Sequence, residues 1–187
     1  MLRYVEEAGR YVELTGFRNV SINDAEEFVK ATREATPQNA SVQFFDADVV
    51  ATWQHMYFAV LNALLAFRNE RNISKSLAME VMLYASAQRQ IRKALQLMGV
   101  KSASANVAVV IIGANPDSVK AALSAVSKRV GAEPDETVLE LTREKTRSIR
   151  KAFGIAAEEL EAVGKKDAAQ ALVNLVIERT ALLSTQL

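Results

Sequence analysis

The sequence predicts an α+β fold: a small central, mainly antiparallel sheet of three or four strands packed by several helices. Three observations predict it. Residues 10–17 alternate apolar and polar side chains, with aromatic and β-branched types among them, as a half-buried strand does. Residues 106–112 run almost continuously apolar and β-branched, as an interior strand covered on both faces would. Much of the remainder repeats its apolar positions at three- and four-residue spacing, the pattern of amphipathic helices. No internal repeat, low-complexity tract or heptad series is present.

In chain order, the strand at 10–17 is followed by Asn23 or Asp24 as the cap of a helix reaching about Thr36, where Pro37 ends it. Ala25, Phe28, Val29 and Thr32 share its inner face. Ser41 to Phe45 is a second short strand, and Asp46 and Asp48 place acids at the start of the next helix, near the positive end of its dipole. That helix, Val49 to Phe67, is the central hydrophobic element. Trp53, Met56, Tyr57, Val60 and Leu64 form its main face, while His55, Asn62 and small alanines fall opposite.

Residues 68–72 make a polar turn, and Asn72 or Ser74 caps a helix running from about Ser76 to Met98. Plotted at about 100° per residue, this helix has two unlike faces. Leu77, Val81, Tyr84, Ala87, Ile91, Leu95 and Met98 form an apolar stripe that includes Glu80. Lys75, Arg89, Lys93 and Gln96 lie opposite, with Arg92 at the flank and no acid among them. Gly99 is placed to end the helix as a left-handed cap.

After the strand at 106–112, Asn115 caps a helix with Pro116 at its first position and Val119, Ala122, Leu123 and Val126 on its inner side. Gly131 to Pro134 is the best candidate hinge. Asp135 opens a helix to about Phe153, with Lys145 among its apolar residues, and a short helix near 155–160 is closed by Gly164. The last helix, Asp167 to about Ser184, has an apolar arc of more than half its circumference. Such an arc means either deep burial or a face that meets another protein.

The 187 residues fit one domain, 1–187, large enough to bury roughly 70% of its unfolded surface. The chain has no cysteine, which removes disulfides, thiolate chemistry and cysteine-built zinc sites and points to a reducing cytoplasm. Acids follow the first residues where a signal peptide needs an apolar core. The seven glycines never form a nucleotide-binding fingerprint, and Gly113 between strand and helix is only half of such a loop.

His55 is the single histidine and lacks a carboxylate cluster that would make it a metal ligand or a triad member. No catalytic residue, metal site or cofactor is expected. An enzyme site near His55 and Glu80 stands as a third possibility. Glu80 itself has two readings: an acid organising the basic loop, or an internal strut paired with Arg68 or Arg71.

Net charge is +1, but it is unevenly spread: residues 1–48 sum to −4, residues 49–101 to +5 and residues 102–187 to zero. A basic middle third suggests a polyanionic partner, the alternative being a solvated basic face. The row has no interleaved aromatics, so it suits a short nucleic-acid end or a phosphate cluster better than a long single strand.

Three stretches carry a family resemblance. They are Asp46-Ala47-Asp48 with Trp53-Gln54-His55 and Ala59 to Ala63; Asn72 to Glu80 with Leu83 to Ser86 and Gln88 to Ile91; and Phe153-Gly154-Ile155, Glu158 to Leu160 and Val176 to Leu183. Together they resemble the kinase-binding subunit of the KEOPS complex, the PRPK-binding protein family, in an archaeal form. Ala87 departs from the family pattern, which has glycine there.

The resemblance implies a non-catalytic protein that docks on a small atypical kinase and supports its activity. It further implies tRNA binding, chiefly at the 3′ CCA end, in support of threonylcarbamoyladenosine modification by another subunit. Carried onto this chain, the tRNA-binding residues are Arg71, Lys75, Arg89, Arg92 and Lys93. The kinase-binding residues are Val173, Val176, Ile177, Arg179, Thr180 and Leu183, with the helix around Ala59 and Asn62 contributing. The partners are thus the kinase, the other KEOPS subunits through it, and tRNA, with no membrane or DNA partner. The alternative is a pure protein scaffold for the kinase that binds no RNA.

Overall fold

The computed structural model describes residues 1–163 and 167–185. Four strands, β1 (Leu2–Val5), β2 (Arg10–Phe17), β3 (Ala40–Asp46) and β4 (Val107–Gly113), form one sheet in the order β1-β2-β4-β3, every pair antiparallel. The expected α+β class is therefore what the chain adopts. β4 is central and all seven of its residues are buried. Its even-numbered side chains Ala108, Val110 and Ile112 join Val12, Leu14 and Phe45 in the larger core. The odd-numbered Val107, Val109 and Ile111 join Phe17, Val42 and Phe44 in the smaller one. Helices on both faces are why the run shows no polar alternation.

β1 is an edge strand of four residues whose Leu2 and Tyr4 are exposed, so it carries little pattern for the sequence to display. It is anchored to the rest by Arg3, whose guanidinium stacks 4.0 Å over the Trp53 ring.

Eight helices complete the described residues: α1 (Ala25–Ala35), α2 (Trp53–Arg68), α3 (Leu77–Ala85), α4 (Ile91–Met98), α5 (Pro116–Val130), α6 (Arg143–Phe153), α7 (Ala157–Val163) and α8 (Ala168–Leu182). α1 and α5 cover the smaller core, while α2, α3, α6 and α8 enclose the larger. Asp24 caps α1 by accepting the Glu27 N–H at 2.9 Å, and Asn115 caps α5 ahead of Pro116, as expected. No helix among the described residues is long and apolar enough to cross a membrane. The expected closure by Gly164 lies outside the described residues.

Several boundaries differ from the periodicity reading. α2 starts at Trp53 rather than Val49, because Thr52 caps it and Asp46 instead caps a short 3-10 turn at Ala47–Val49. α6 starts at Arg143, capped by Thr142, after a separate 3-10 turn at Glu136–Leu139. That turn crosses β2 at Gly16, where a Cβ would meet the Val138 side chain at 2.6 Å and the Val107 carbonyl at 2.8 Å. Lys145 locks the crossing: its ammonium donates to the carbonyls of Val138 (2.6 Å), Glu140 (3.1 Å) and Val50 (3.4 Å). Burial pushes its pKa down to about 8, with Asp48 the first of the groups that oppose the shift.

The main correction concerns residues 76–98, which form two helices rather than one. α3 ends in a Schellman motif: Ala87 N–H donates to the Tyr84 carbonyl and Gln88 N–H to the Leu83 carbonyl, both at 3.0 Å. Ala87 takes the left-handed position at φ 51°, a conformation that favours glycine. Gly99, expected in that role, is extended at φ −65°.

The strain gives a direct expectation. Ala87→Gly should raise stability by about 1 kcal/mol, since the Cβ penalty at this φ exceeds the added chain entropy. Urea unfolding of the two proteins reads it; an unchanged or lower midpoint would refute the strain.

Candidate functional site

The two-helix hairpin of α3 and α4 holds the basic residues, and its geometry starts at Glu80. This carboxylate is fully buried. Both of its oxygens accept the Ile73 N–H at 3.0 Å, and one also accepts the Ser74 N–H at 2.7 Å. Neither Arg68 nor Arg71 is the partner, in contrast to the sequence expectation; Arg68 instead donates to the Glu7 carbonyl at 2.6 Å. Two backbone donors on one carboxylate compensate its burial. Ser76 caps α3, its own N–H bonded to the Ser74 hydroxyl, and Asn72 donates to the Ser74 carbonyl. The acid is thus a strut and also fixes the loop on which Arg71 and Lys75 stand exposed.

Arg89, Arg92 and Lys93 are exposed as well, but at the other end of α3. Arg89 lies in the connection and Arg92 and Lys93 in the first turn of α4. Nine residues of helix separate the two groups, about 14 Å of rise. There is accordingly no continuous row along one helix, but two clusters. Met79 of α3 and Leu95 of α4 border the same hollow, so α4 folds back along α3. This turn exposes Ile91 and Leu95, which one unbroken helix would have turned inward.

The α4 end has a distinctive electrostatic character. Its first turn contains two cations and no acid, and its N-cap residue Gln90 makes no side-chain cap bond. Cations at a helix N-terminus add to the positive end of the dipole rather than opposing it. Local helix stability does not favour that choice. The Tyr84 hydroxyl nearby has a raised pKa, first from burial and then from the Glu80 charge, with Arg89 opposing.

His55 is enclosed by α2, α3 and α6. Nδ1 accepts the Ala51 N–H at 3.3 Å, which leaves Nε2 to donate to the Ala85 carbonyl at 2.8 Å. The ring stands edge-on to Phe153, with centroids 5.6 Å apart. It is fully buried, and desolvation lowers its pKa to about 4 despite the bond to Ala85. With both nitrogens engaged by backbone, it serves as a tie between the start of α2 and the end of α3. Among the described residues no group of three or more His, Asp or Glu side chains is arranged to hold a metal ion.

The α8 residues are split by burial. Val173, Val176, Thr180 and Leu183 point into the core, with Val176, Thr180 and Leu183 at 0% exposure. Ile177 and Arg179 are half-buried, and Arg179 is held by both oxygens of Glu159 on α7 at 2.9 and 3.1 Å. The six therefore do not form one accessible face, and most of the apolar arc is explained by burial. What α8 leaves open is Leu182, 46% exposed, a residue that helical periodicity groups with the core.

On α2, Met56, Val60 and Leu64 of the expected main face are buried, but the side expected to lie opposite is buried as well. His55, Ala59, Ala63 and Ala66 face inward, where small side chains let α3 and α8 approach, while Phe58 is 38% exposed and Trp53, Tyr57 and Leu61 are half-buried. Exposed apolar side chains on the packed pair α2 and α8 are the features that the periodicity reading missed.

A family model described as "Kinase binding protein CGI-121" matches residues 17–184. The chain is also 34% identical over 113 residues to "Regulatory protein Cgi121" of Methanocaldococcus jannaschii, an alignment covering 60% of this chain and 70% of the relative. The matched region takes in the α3–α4 hairpin, α2 and α8 together, in accord with the resemblance read from their motifs. The chain belongs to the CGI-121 family of kinase-binding regulatory proteins.

Proposed function

We propose that this protein is a non-catalytic adaptor that binds and activates a partner kinase and also binds tRNA at its 3′ CCA end. In this role it supports threonylcarbamoyladenosine modification of tRNA within the KEOPS complex. Family membership supports the kinase half. One observation supports the RNA half: the exposed cations Arg92 and Lys93 sit on the positive end of α4, beside Arg89, where only an anionic partner is favoured. Phosphate contacts of this kind supply affinity without reading base sequence. Arg71 and Lys75, held by the Glu80 loop, form the second part of the RNA surface. On α8, Ile177, Arg179 and Leu182 are the groups a kinase reaches directly; the buried Val173, Val176, Thr180 and Leu183 shape the helix beneath them.

Gel-shift titration with tRNA carrying or lacking its CCA end tests the RNA half. The expected result is weaker binding without the end. Arg92→Glu with Lys93→Glu should weaken binding further and reduce the slope of log K against log salt by about 2. Equal binding of both tRNAs would remove end recognition. Absence of any tRNA binding, with kinase association intact, would establish the pure scaffold instead.

A further inference from the structure

α6 has a second cationic face that the α3–α4 hairpin does not include. Lys145, Ile149 and Phe153 recur every four residues and are buried, so they mark the inner side of the helix. Arg143, Arg147, Arg150 and Lys151 occupy the opposite side. They line an open cleft of about 510 Å³ whose floor continues past the helix end through Gly154, Ile155 and Ala156. Among the described residues no carboxylate lies within 4 Å of the Arg147 or Lys151 charge. Arg150 is oriented by its Nε–H, which donates to the Ile155 carbonyl at 3.4 Å. Gly154, left-handed at φ 61°, keeps the corner open, with nothing within 4 Å of where a Cβ would stand.

Helix electrostatics account for only part of this arrangement. Cations in the last turn, Arg150 and Lys151, complement the negative end of the α6 dipole. Arg143 and Arg147 lie before that turn and gain nothing from it. The cleft has no aromatic side chain to anchor a protein partner. Its neighbour is informative too. Ala152, next to Lys151, borders a hollow shared with Lys93, Gln88 and Gln96, so the last turn of α6 lies beside the first turn of α4.

We infer that the α6 cleft binds the sugar-phosphate backbone of an RNA, as a second contact beside Arg92 and Lys93. This rests on the RNA-binding reading above. The ligand class follows from the donors: guanidinium groups pair with phosphate oxygens through two parallel N–H donors, without a base-reading element.

The test uses the full chain, tRNA transcripts at several salt concentrations and two neutralised proteins, Arg147→Ala with Lys151→Ala and Arg92→Ala with Lys93→Ala. All four positions are exposed, and circular dichroism confirms that each variant is folded. The α6 variant should lower the salt slope by about 2, independently of the α4 variant. Unchanged affinity and slope in the α6 variant, with a loss in the α4 variant, would overturn this inference and leave the first surface standing. Loss in the α6 variant alone would retain the cleft and remove the α4 cluster. A chain that binds no tRNA would overturn both. Lost kinase association with unchanged tRNA binding would make α6 a protein-docking face and also overturn the inference.

Discussion

Val176→Arg should prevent stable folding, while Leu182→Arg should give a folded protein that no longer holds the kinase. The two positions lie six residues apart on α8, but Val176 is 0% exposed and Leu182 is 46% exposed. An unpaired guanidinium in the core costs about 3–5 kcal/mol, a large share of the roughly 5–15 kcal/mol that holds a domain together. At Leu182 the charge stays in water in the free protein and is forced out of it only if a partner covers α8. Urea unfolding and kinase co-purification, measured on both variants, separate folding from docking. A Leu182→Arg protein that folds and retains kinase would show that the partner does not cover this part of α8. Loss of the kinase in Val176→Arg alone says nothing about contact, because the helix itself would be disrupted.

Acid should destabilise this protein through His55. A free imidazole titrates near 6.5, and burial takes this one to about 4 in the folded chain. As pH falls, the unfolded chain therefore takes up the proton first. The stability tied to the neutral ring is complete above pH 6.5 and is lost as pH falls toward 4, an order-of-magnitude total of about 3 kcal/mol.

Protonation also places a hydrogen on Nδ1, which can then no longer accept the Ala51 N–H. Other groups titrate over the same range, so the informative quantity is the difference between the native chain and His55→Gln. Glutamine keeps a donor for the Ala85 carbonyl but has no proton to gain. The native protein should be the more stable by the larger margin at pH 7.5, and that margin should shrink by about 3 kcal/mol at pH 4. Parallel stability curves across this window would contradict the buried neutral ring.

Patterns confined to one strand or one cap were legible in the sequence. Residues 10–17 read correctly as the strand β2, but not as a half-buried one. Val12 to Phe17 are buried on both faces, Glu13 and Thr15 included, because helices and the 3-10 turn at Glu136–Leu139 cover both sides of the sheet. β4 read correctly as interior because no polar residue interrupts it. Asn115 read correctly as a cap because a side chain three residues from its donor needs nothing else, while Asn23 and Asp24 are both open at α1 and the structure selects Asp24. The break at Ala87 is half visible in the sequence: glycine is the expected residue there, but alanine does not advertise a left-handed position. The apolar pattern continues through it at helical spacing, so periodicity counted one helix where a Schellman turn makes two. The partner of Glu80 was hidden for a different reason. Backbone N–H groups carry no sequence signature, whereas the nearby arginines do.

The amino-acid sequence by itself determined the α+β class, the central strand, the basic character of the 71–93 segment and the family. Each of these depends on composition, on spacing over a few residues or on motifs that survive without knowledge of their contacts. The tertiary structure alone decided which apolar and charged groups reach solvent. It turned the alanine side of α2 inward so that α3 and α8 could approach closely, buried Val176 and left Leu182 open. It also folded α4 back along α3, dividing one basic row into two clusters, and set Lys93 beside the end of α6. Those outcomes depend on how helices meet across the sheet, and helical periodicity specifies a face without specifying what covers it.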